Sequence, residues 1–537
     1  MKRLMKRSKK KKRVIIAGAG ISGLTAGAYL SRIGHDVLVL EKSPYVGGLV
    51  NSFKKDEFFF DTGPRAIGNA GILEPMLEDL KIELPLVKGL VSTGIKTDII
   101  HYDTVKEIDD YIKSLKGFFP KHSKDIRKIE KRIRSCSRMT RTLNKAANPF
   151  FKNPLTDIGY TLHLFIPWLP SFLAVVLKSI LNRRSIEQEL DAITNNERLK
   201  DIVDQHFFKG TPAVFAFGYF ENFQDYKYPI GGTSELPKAL ERKIISDGGV
   251  IKKNRAVVSV HPGHRTVVDS KGEVHPYDNL IWAANLRSLY EMVDSDSFSA
   301  GRRRRFFNEK EALFFTDAGE SVLTLFTAVD ESPAYFRKIS RGHFIYTPKT
   351  CGLGDLHRGQ LAGMKENFPS LSKQQLFSWL KSLCERNSYE ISIPVLKDVN
   401  LAPPGKTGLV ISILFDGELC KMIRDAGWMD EFKAKAEEYM LSVLDESVYP
   451  GIRKKIIFTK TTTPFTLMKM FNVYNGAITG WSLEGKSPVP NSLFGIQRSV
   501  KTSIPRVYKA GQWSYSPSGV PIAILTGRIA ASAVDTC

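Results

Sequence analysis

Three glycines, in the order Gly18-Ala-Gly20-Ile-Ser-Gly23, directly follow an apolar run and open an apolar segment of helical period. In that setting the first glycine permits a tight turn, the second lets backbone approach a diphosphate, and the third allows close helix-strand packing. Glu41 lies 21 residues beyond Gly20, where a carboxylate at a strand end can accept hydrogen bonds from both ribose hydroxyls of an adenosine. The same charge repels a 2′-phosphate, so NADP is disfavoured. These residues are placed by a strand over 14–17, a helix over 21–33 stopped by Gly34, and a strand over 36–41, which together make a βαβ unit. FAD and NAD both suit such a unit.

Other residues separate the two. Gly47 and Gly48 follow Glu41 in "EKSPYVGGLVNSF", and "FFFDTGPRAIG" runs from 58 to 68. On these motifs the chain over 14–68 resembles the FAD-containing amine-oxidase-like superfamily, and within it the phytoene desaturase, carotenoid isomerase and retinol saturase group. Two more stretches resemble that group: "YPIGGTSELPKAL" at 228–240, and "AGQWSYSPSGVPIAILTGRIAA" at 510–531. The resemblance covers about a third of the chain and implies FAD as cofactor, held at Gly18, Gly20, Ser22, Gly23, Glu41, Gly47, Gly48 and Leu49. It further implies Gly63 and Arg65 beside the flavin, with a structural ion pair as the competing role for Arg65, and Val257 backbone against the adenine. Gly511, Gln512, Gly519 and Val520 would close the flavin site. A helix starting near Val520 would point its amides at the flavin edge that becomes anionic on reduction. "NGAITGWSLE" at 475–484 resembles the segment on the substrate side of the flavin, with Trp481 read first as packing. Two positions depart from the pattern. Leu49 stands where many members carry Arg, and Gln512 where many carry an acidic residue.

The expected fold class is α/β, with a Rossmann-like, glutathione-reductase-like FAD-binding domain and an inserted α+β substrate domain. The first is assembled from 14–100, 226–290 and 456–537, and the second from 101–225 and 291–455. Residues 1–13 form a basic tail containing nine Lys or Arg, read either as a solvated tail or as an electrostatic membrane tether. It lacks the apolar run of a secretory signal. The stretch 158–177 carries no Asp, Glu, Lys or Arg but contains Pro167 and Pro170. It reads as a broken helix lying in a membrane interface, with Trp168 at headgroup depth and Lys178, Arg183 and Arg184 on phosphates. The competing reading is a buried lid.

The formal charge is +22, of which the tail accounts for less than half. This favours anionic partners. No nucleic-acid-reading motif is present, so a membrane surface is the expected partner, the location is cytoplasmic and peripheral, and the oligomeric state stays open. The five scattered cysteines suggest a reducing compartment without disulfides, and no metal-ligand spacing or G-x-S-x-G elbow appears. His163 reads as an interfacial group and Arg302 to Arg305 as a solvated face. No second dinucleotide fingerprint is visible, so electrons would pass between the flavin and a quinone, oxygen or another small acceptor. The leading expectation is an FAD-dependent oxidoreductase acting on an apolar isoprenoid or carotenoid polyene by hydride transfer at flavin N5, with no catalytic side chain assigned. Desaturation, isomerisation and saturation remain open, with a flavin amine oxidase as alternative and a non-catalytic flavin-retaining membrane or nucleic-acid binder behind it.

Overall fold

The computed structural model describes residues 11–104, 107–152, 157–181, 184–357 and 359–536. The first ten residues of the basic tail, Arg183 and the Lys178 side chain lie outside that description. Lys12 and Arg13, assigned to the tail from charge alone, belong to the folded body. Lys12 Nζ donates to the carbonyls of Val534 and Asp535 at 2.7 and 3.2 Å, and Arg13 begins the first strand.

Five parallel strands form the first sheet, in the order Val250–Lys252, Asp36–Leu40, Arg13–Ala17, Asn279–Trp282 and Val507–Lys509. Their near-continuous apolar sequence follows from cover on both faces. Val14 and Ile16 pack with the helices Ile21–Arg32, Glu235–Ser246 and Val520–Thr536. Ile15 and Ala17 point the other way, toward the small antiparallel sheet of Val257–His261, Thr266–Asp269 and Val274–Pro276.

The second sheet has seven strands, in the order Ile456–Thr462, Ser321–Val329, Thr407–Phe415, Tyr389–Ser392, His343–Thr347, Val91–Ile95 and Asp98–His101. Val91–Ile95 and Ile456–Thr462 fall inside ranges expected from sequence for the nucleotide domain, and Asp98–His101 straddles the expected boundary at 100, yet all three pair into this second sheet. Short amphipathic strands do not encode which distant sheet they join. One face of this sheet is filled by Leu323, Leu325, Leu409, Ile411 and Ile413 under the helices Lys373–Arg386 and Met429–Ser447. The other face carries Thr324, Ser412 and Glu390 in one paired row.

A helical layer covers the region between, built from Ile108–Phe118, Ser123–Asn144 and Ala213–Asp225 with shorter helices. Arg141 bridges two of them with paired 2.8 Å bonds to Glu221. The apolar stretch does not break at its prolines. It runs as an α-turn at Ile158–Tyr160, a π-helical turn at Thr161–Phe165 and an α-helix at Ile166–Leu181. The wider turn, in which Ile166 N–H reaches Thr161 O, is how the rod absorbs the amide that Pro167 lacks. Trp168 is also not at a surface. It is buried, its indole N–H donates to Thr142 O at 2.6 Å, and its ring lies 4.4 Å from that of Phe172. Exposed instead are Ile158, Leu162, Ile166, Leu173 and Leu177, a stripe on one side of the rod. Only 22% of this segment is buried, which disfavours a buried lid. His163 and Arg302 to Arg305 are exposed, and Arg184 pairs with Glu189 at 3.7 Å.

Candidate functional site

The turn after the first strand is closed by backbone. Gly18 N–H donates to Leu40 O at 2.8 Å, and a Cβ on Gly18 would meet Ala283 O at 2.9 Å. A Cβ on Gly23 would lie 2.0 Å from Gly18 O, so helix Ile21–Arg32 can start this close to the strand only on a glycine. Gly20 is different: a Cβ there meets nothing within 4 Å. It caps the helix with no side-chain hydrogen bond, so the first-turn amides face an open concavity. Gly47 N–H donates to Ala19 O at 2.8 Å, and Gly47 and Gly48 both have positive φ, 111° and 58°. The doublet lies against the elbow, with Gly48 3.4 Å from the Gly20 Cα by its would-be Cβ. An open cradle of unfilled amides in an otherwise packed turn fits a dinucleotide diphosphate.

Glu41 is buried at the end of its strand. Oε2 accepts from Ala19 N–H at 2.7 Å and Oε1 from Ser43 N–H at 2.8 Å. The two oxygens are thus held by backbone before any ribose arrives, and each keeps one accepting position for a hydroxyl. Arg255 N–H donates to Glu41 O at 2.8 Å, which brings the start of strand Val257–His261 alongside this carboxylate. Val257 is therefore on the Glu41 side of the cradle.

The distant C-terminal segment reaches the same place. A Cβ on Gly511 would meet Ser22 Oγ at 2.7 Å, and Gly511 N–H donates to Thr526 Oγ1 at 3.0 Å. Helix Val520–Thr536 begins just past Gly519 and crosses the first helix so closely that a Cβ on Gly527 would lie 2.3 Å from Ser22 O. Gln512 packs its backbone under Gly480. Trp481 is buried, edge-on to Trp513 with ring centres 4.9 Å apart, and donates to Trp513 O. It is packing, at the rim of a cleft of about 680 Å³ that includes Lys209, Glu320 and His357.

Leu49 O crosses Gly63, where a Cβ would sit 1.9 Å away, and this fixes the "DTGPR" turn next to Gly48. Asp61 in that turn does a job the sequence did not reveal. It accepts from Tyr228 hydroxyl at 2.7 Å, Thr233 N–H and hydroxyl at 2.9 Å each, and Ser52 hydroxyl at 2.8 Å. Arg65 makes no ion pair within 4 Å among the described residues. It is buried and donates to Gly63 O at 2.7 Å and to Ser412 hydroxyl, joining the turn to the second sheet. Beyond it lie groups the sequence reading also missed. Lys397 Nζ donates to Arg65 O and Ser392 hydroxyl, both at 2.7 Å, and His343 Nε2 is 3.0 Å from Glu390 Oε1. Burial pushes Lys397 down to about 8, with Asp61 opposing and Arg65 adding to the shift. The only available signal was polar residues at alternate positions of "SYEISIP", in a stretch otherwise apolar.

Asp269, Glu273 and His275 converge within metal-binding distance among the described residues. Arg255 already donates to both carboxylates, at 2.8 and 2.9 Å, and supplies the cation this group calls for.

Residues 21–333, more than half of the chain, match the family of flavin containing amine oxidoreductases. Across its whole length the chain is similar to 4,4′-diaponeurosporene oxygenase of Staphylococcus aureus, at 21% identity over 98% of each chain. Prolycopene isomerase 2 of an Oncidium hybrid cultivar is 22% identical over 97% of this chain and 83% of its own. An inactive all-trans-retinol 13,14-reductase of Danio rerio is 26% identical over 46% of this chain, and the match spans only 42% of that relative's length. Among solved structures, an oxidoreductase of Methanosarcina mazei superposes with a TM-score of 0.59 over 98% of this chain and 100% of its own, at 15% identity. Putrescine oxidase does so at 0.58 and 14%, over 98% and 100%. These superpositions establish the α/β fold.

Proposed function

From a chain that belongs to the flavin containing amine oxidoreductases, and is therefore an FAD-dependent oxidoreductase, we propose an enzyme that takes a long isoprenoid or carotenoid-type polyene from a membrane surface. The observation that carries this reading is the apolar stripe Ile158, Leu162, Ile166, Leu173 and Leu177, exposed on a helix whose opposite side is anchored through Trp168. The anchoring helix, Ser123–Asn144, leads directly into the flavin-side domain: Asn148 N–H donates to Gly71 O, and Arg528 of the closing helix donates to Phe150 O. Apolar side chains in such a row lie in the boundary between headgroups and acyl chains. Relatives named for diaponeurosporene, prolycopene and retinol support the substrate class.

When bound, the flavin supplies hydride acceptance at N5 or, once reduced, hydride return to a conjugated chain. The residues of this chain bind and orient. Gly20 and the first-turn amides take the diphosphate, Glu41 the ribose, and the start of helix Val520–Thr536 sets a positive dipole end toward the closing side of the site. In the desaturating direction a quinone, oxygen or another small acceptor takes the electrons from the flavin; in the saturating direction a small reductant supplies them.

The test is an anaerobic screen of polyenes and amines against the bound flavin in its oxidised and its reduced form, read by flavin absorbance, with a parallel aerobic assay for peroxide. A polyene that changes the flavin redox state is the expected result, whereas amine-dependent peroxide release with no polyene response overturns the reading. The membrane step has its own test. Replacing Leu162, Ile166, Leu173 and Leu177 by Ser removes about 1 kcal/mol of apolar burial per residue at an interface, so binding to anionic liposomes should fall at least ~100-fold. Unchanged co-sedimentation of this variant would remove the stripe from the proposal, and a fall on deleting residues 1–10 alone would assign the contact to the tail.

A further inference from the structure

We propose that Glu390 receives a hydroxyl group at one end of the substrate, so that the enzyme acts on an isoprenoid alcohol and not on an unbroken hydrocarbon. This rests on the polyene reading above and narrows it.

Strand Tyr389–Ser392 is the fourth of seven, with a paired neighbour on each side. Tyr389 and Ile391 face the apolar core and are fully buried. The opposite face at the same level holds Thr324, Ser412 and Glu390 in register across three strands. A wall facing only hydrocarbon has no use for such a row. Most of the row is internally satisfied: Thr324 and Ser412 hydroxyls bond to each other at 2.7 Å, and Arg65 donates to Ser412.

Glu390 is the exception. Its Oε1 is held by His343 Nε2 at 3.0 Å, and Oε2 has no hydrogen-bond partner among the described residues. The side chain is 44% accessible although its strand is central and its sheet is covered on the far face. That accessible space therefore lies inside, on the side where Tyr226 stacks on His343 with ring centres 5.8 Å apart and its hydroxyl donates to the Tyr219 hydroxyl at 2.5 Å. His206, with its imidazole pushed down to about 4 by burial, lies within electrostatic range of the same carboxylate.

Burial alone would raise the Glu390 pKa, but the His343 hydrogen bond and the Arg65 and Lys397 charges hold it down at about 2. His343 is itself shifted down by burial and stays neutral near pH 7. The interior thus presents one free oxygen of an ionised carboxylate. An ammonium meeting it also meets the positive field of Arg65 and Lys397 behind it, a carboxylate is repelled by Glu390 itself, and a hydrocarbon strips the ion of water with no hydrogen bond in return. A neutral O–H donor satisfies Oε2 without adding charge.

The experiment uses the flavin-loaded full chain in detergent micelles. A polyprenyl alcohol and the hydrocarbon of the same skeleton are titrated against the oxidised protein, and binding is read from the perturbation of flavin absorbance. The wild type should bind the alcohol at least ~10-fold more tightly. Glu390→Leu should erase that preference while leaving hydrocarbon affinity equal or improved, and Glu390→Gln, which keeps an acceptor oxygen, should retain most of it. Equal affinity of the two ligands in the wild type overturns the proposal, as does an equal loss for both in Glu390→Leu or a tighter fit of the matching amine. Binding is read without turnover, so a failure of polyenes to change the flavin redox state would refute the broader reading separately.

Discussion

Gly20→Ala should leave the fold of the flavin-free chain intact while lowering flavin affinity by about two orders of magnitude; Gly23→Ala, three residues later, should damage both. The difference lies in what a methyl group meets. At Gly20 φ is −69° and ψ 172°, a conformation any residue adopts, and a Cβ finds nothing within 4 Å. The methyl group occupies only the concavity into which the first-turn amides point. A diphosphate pushed outward there loses about two charge-assisted hydrogen bonds, each worth roughly 1.5 kcal/mol, and about 3 kcal/mol is ~100-fold in Kd. At Gly23 the same methyl group lies 2.0 Å from Gly18 O and 3.1 Å from Ala283 Cβ, so the helix must lift off the sheet at a cost of about 3 kcal/mol or more. Thermal unfolding of the flavin-free proteins and flavin titration by fluorescence quenching measure the two effects independently. If Gly20→Ala unfolded as readily as Gly23→Ala, the concavity would be a packing feature and not a cofactor cradle.

The same pair shows what the sequence made legible. The βαβ unit, the glycine doublet and the helix beginning at Val520 are local: strand, turn and helix signals sit within about 25 residues and each backbone choice is written in the residue that makes it. Features that depend on pairing between distant segments were not legible. Val91–Ile95 and Ile456–Thr462 look like ordinary amphipathic strands, and only the register Val91 with His343 and Thr462 with Thr324 assigns them to the second sheet. Trp168 read as a headgroup residue, but it is buried, bonded to Thr142 O and packed on the Phe172 ring, partners that the local sequence does not announce. Pro167 and Pro170 signal a break by the usual rule, yet one π-helical turn keeps the rod continuous. Arg65 illustrates the third kind of gap. Its type offered a contact to flavin or to an acid, and its actual partners are a carbonyl two residues away and the Ser412 hydroxyl 347 residues along the chain. Glu390 was hard to read for the same reason, since a polar residue in a strand reads as solvent-facing until the topology encloses it, and Lys397, just past the short turn Pro394–Leu396, reads as a surface loop lysine.

The second large effect is expected at Asp61. Its carboxylate collects four hydrogen bonds from three separate segments: Ser52 on the preceding strand, Tyr228 on the strand Tyr226–Pro229, and the Thr233 amide and hydroxyl at the entrance to helix Glu235–Ser246. Asp61→Ala strands these donors in a site where Asp61, Tyr228 and Thr233 are all nearly inaccessible to water. Each buried donor left without a partner costs about 1–3 kcal/mol, so even with partial relaxation the loss should reach about 3–5 kcal/mol, read as a lowered denaturation midpoint. Tyr228→Phe removes one donor and leaves the carboxylate three others, so it should cost about 1 kcal/mol. Asp61→Asn should fall between, because its amide keeps one accepting oxygen but replaces the other with donors. The loss should also appear as flavin release, since the turn that Asp61 anchors carries Gly63 across Leu49 O, directly after Gly48 in the cradle. Hydrogen exchange at Thr233 and in strand Ser52–Lys55 should quicken together in Asp61→Ala. A cost no greater than that of Tyr228→Phe would mean that the three segments hold one another without the carboxylate, and that the acid in this turn serves the cofactor alone.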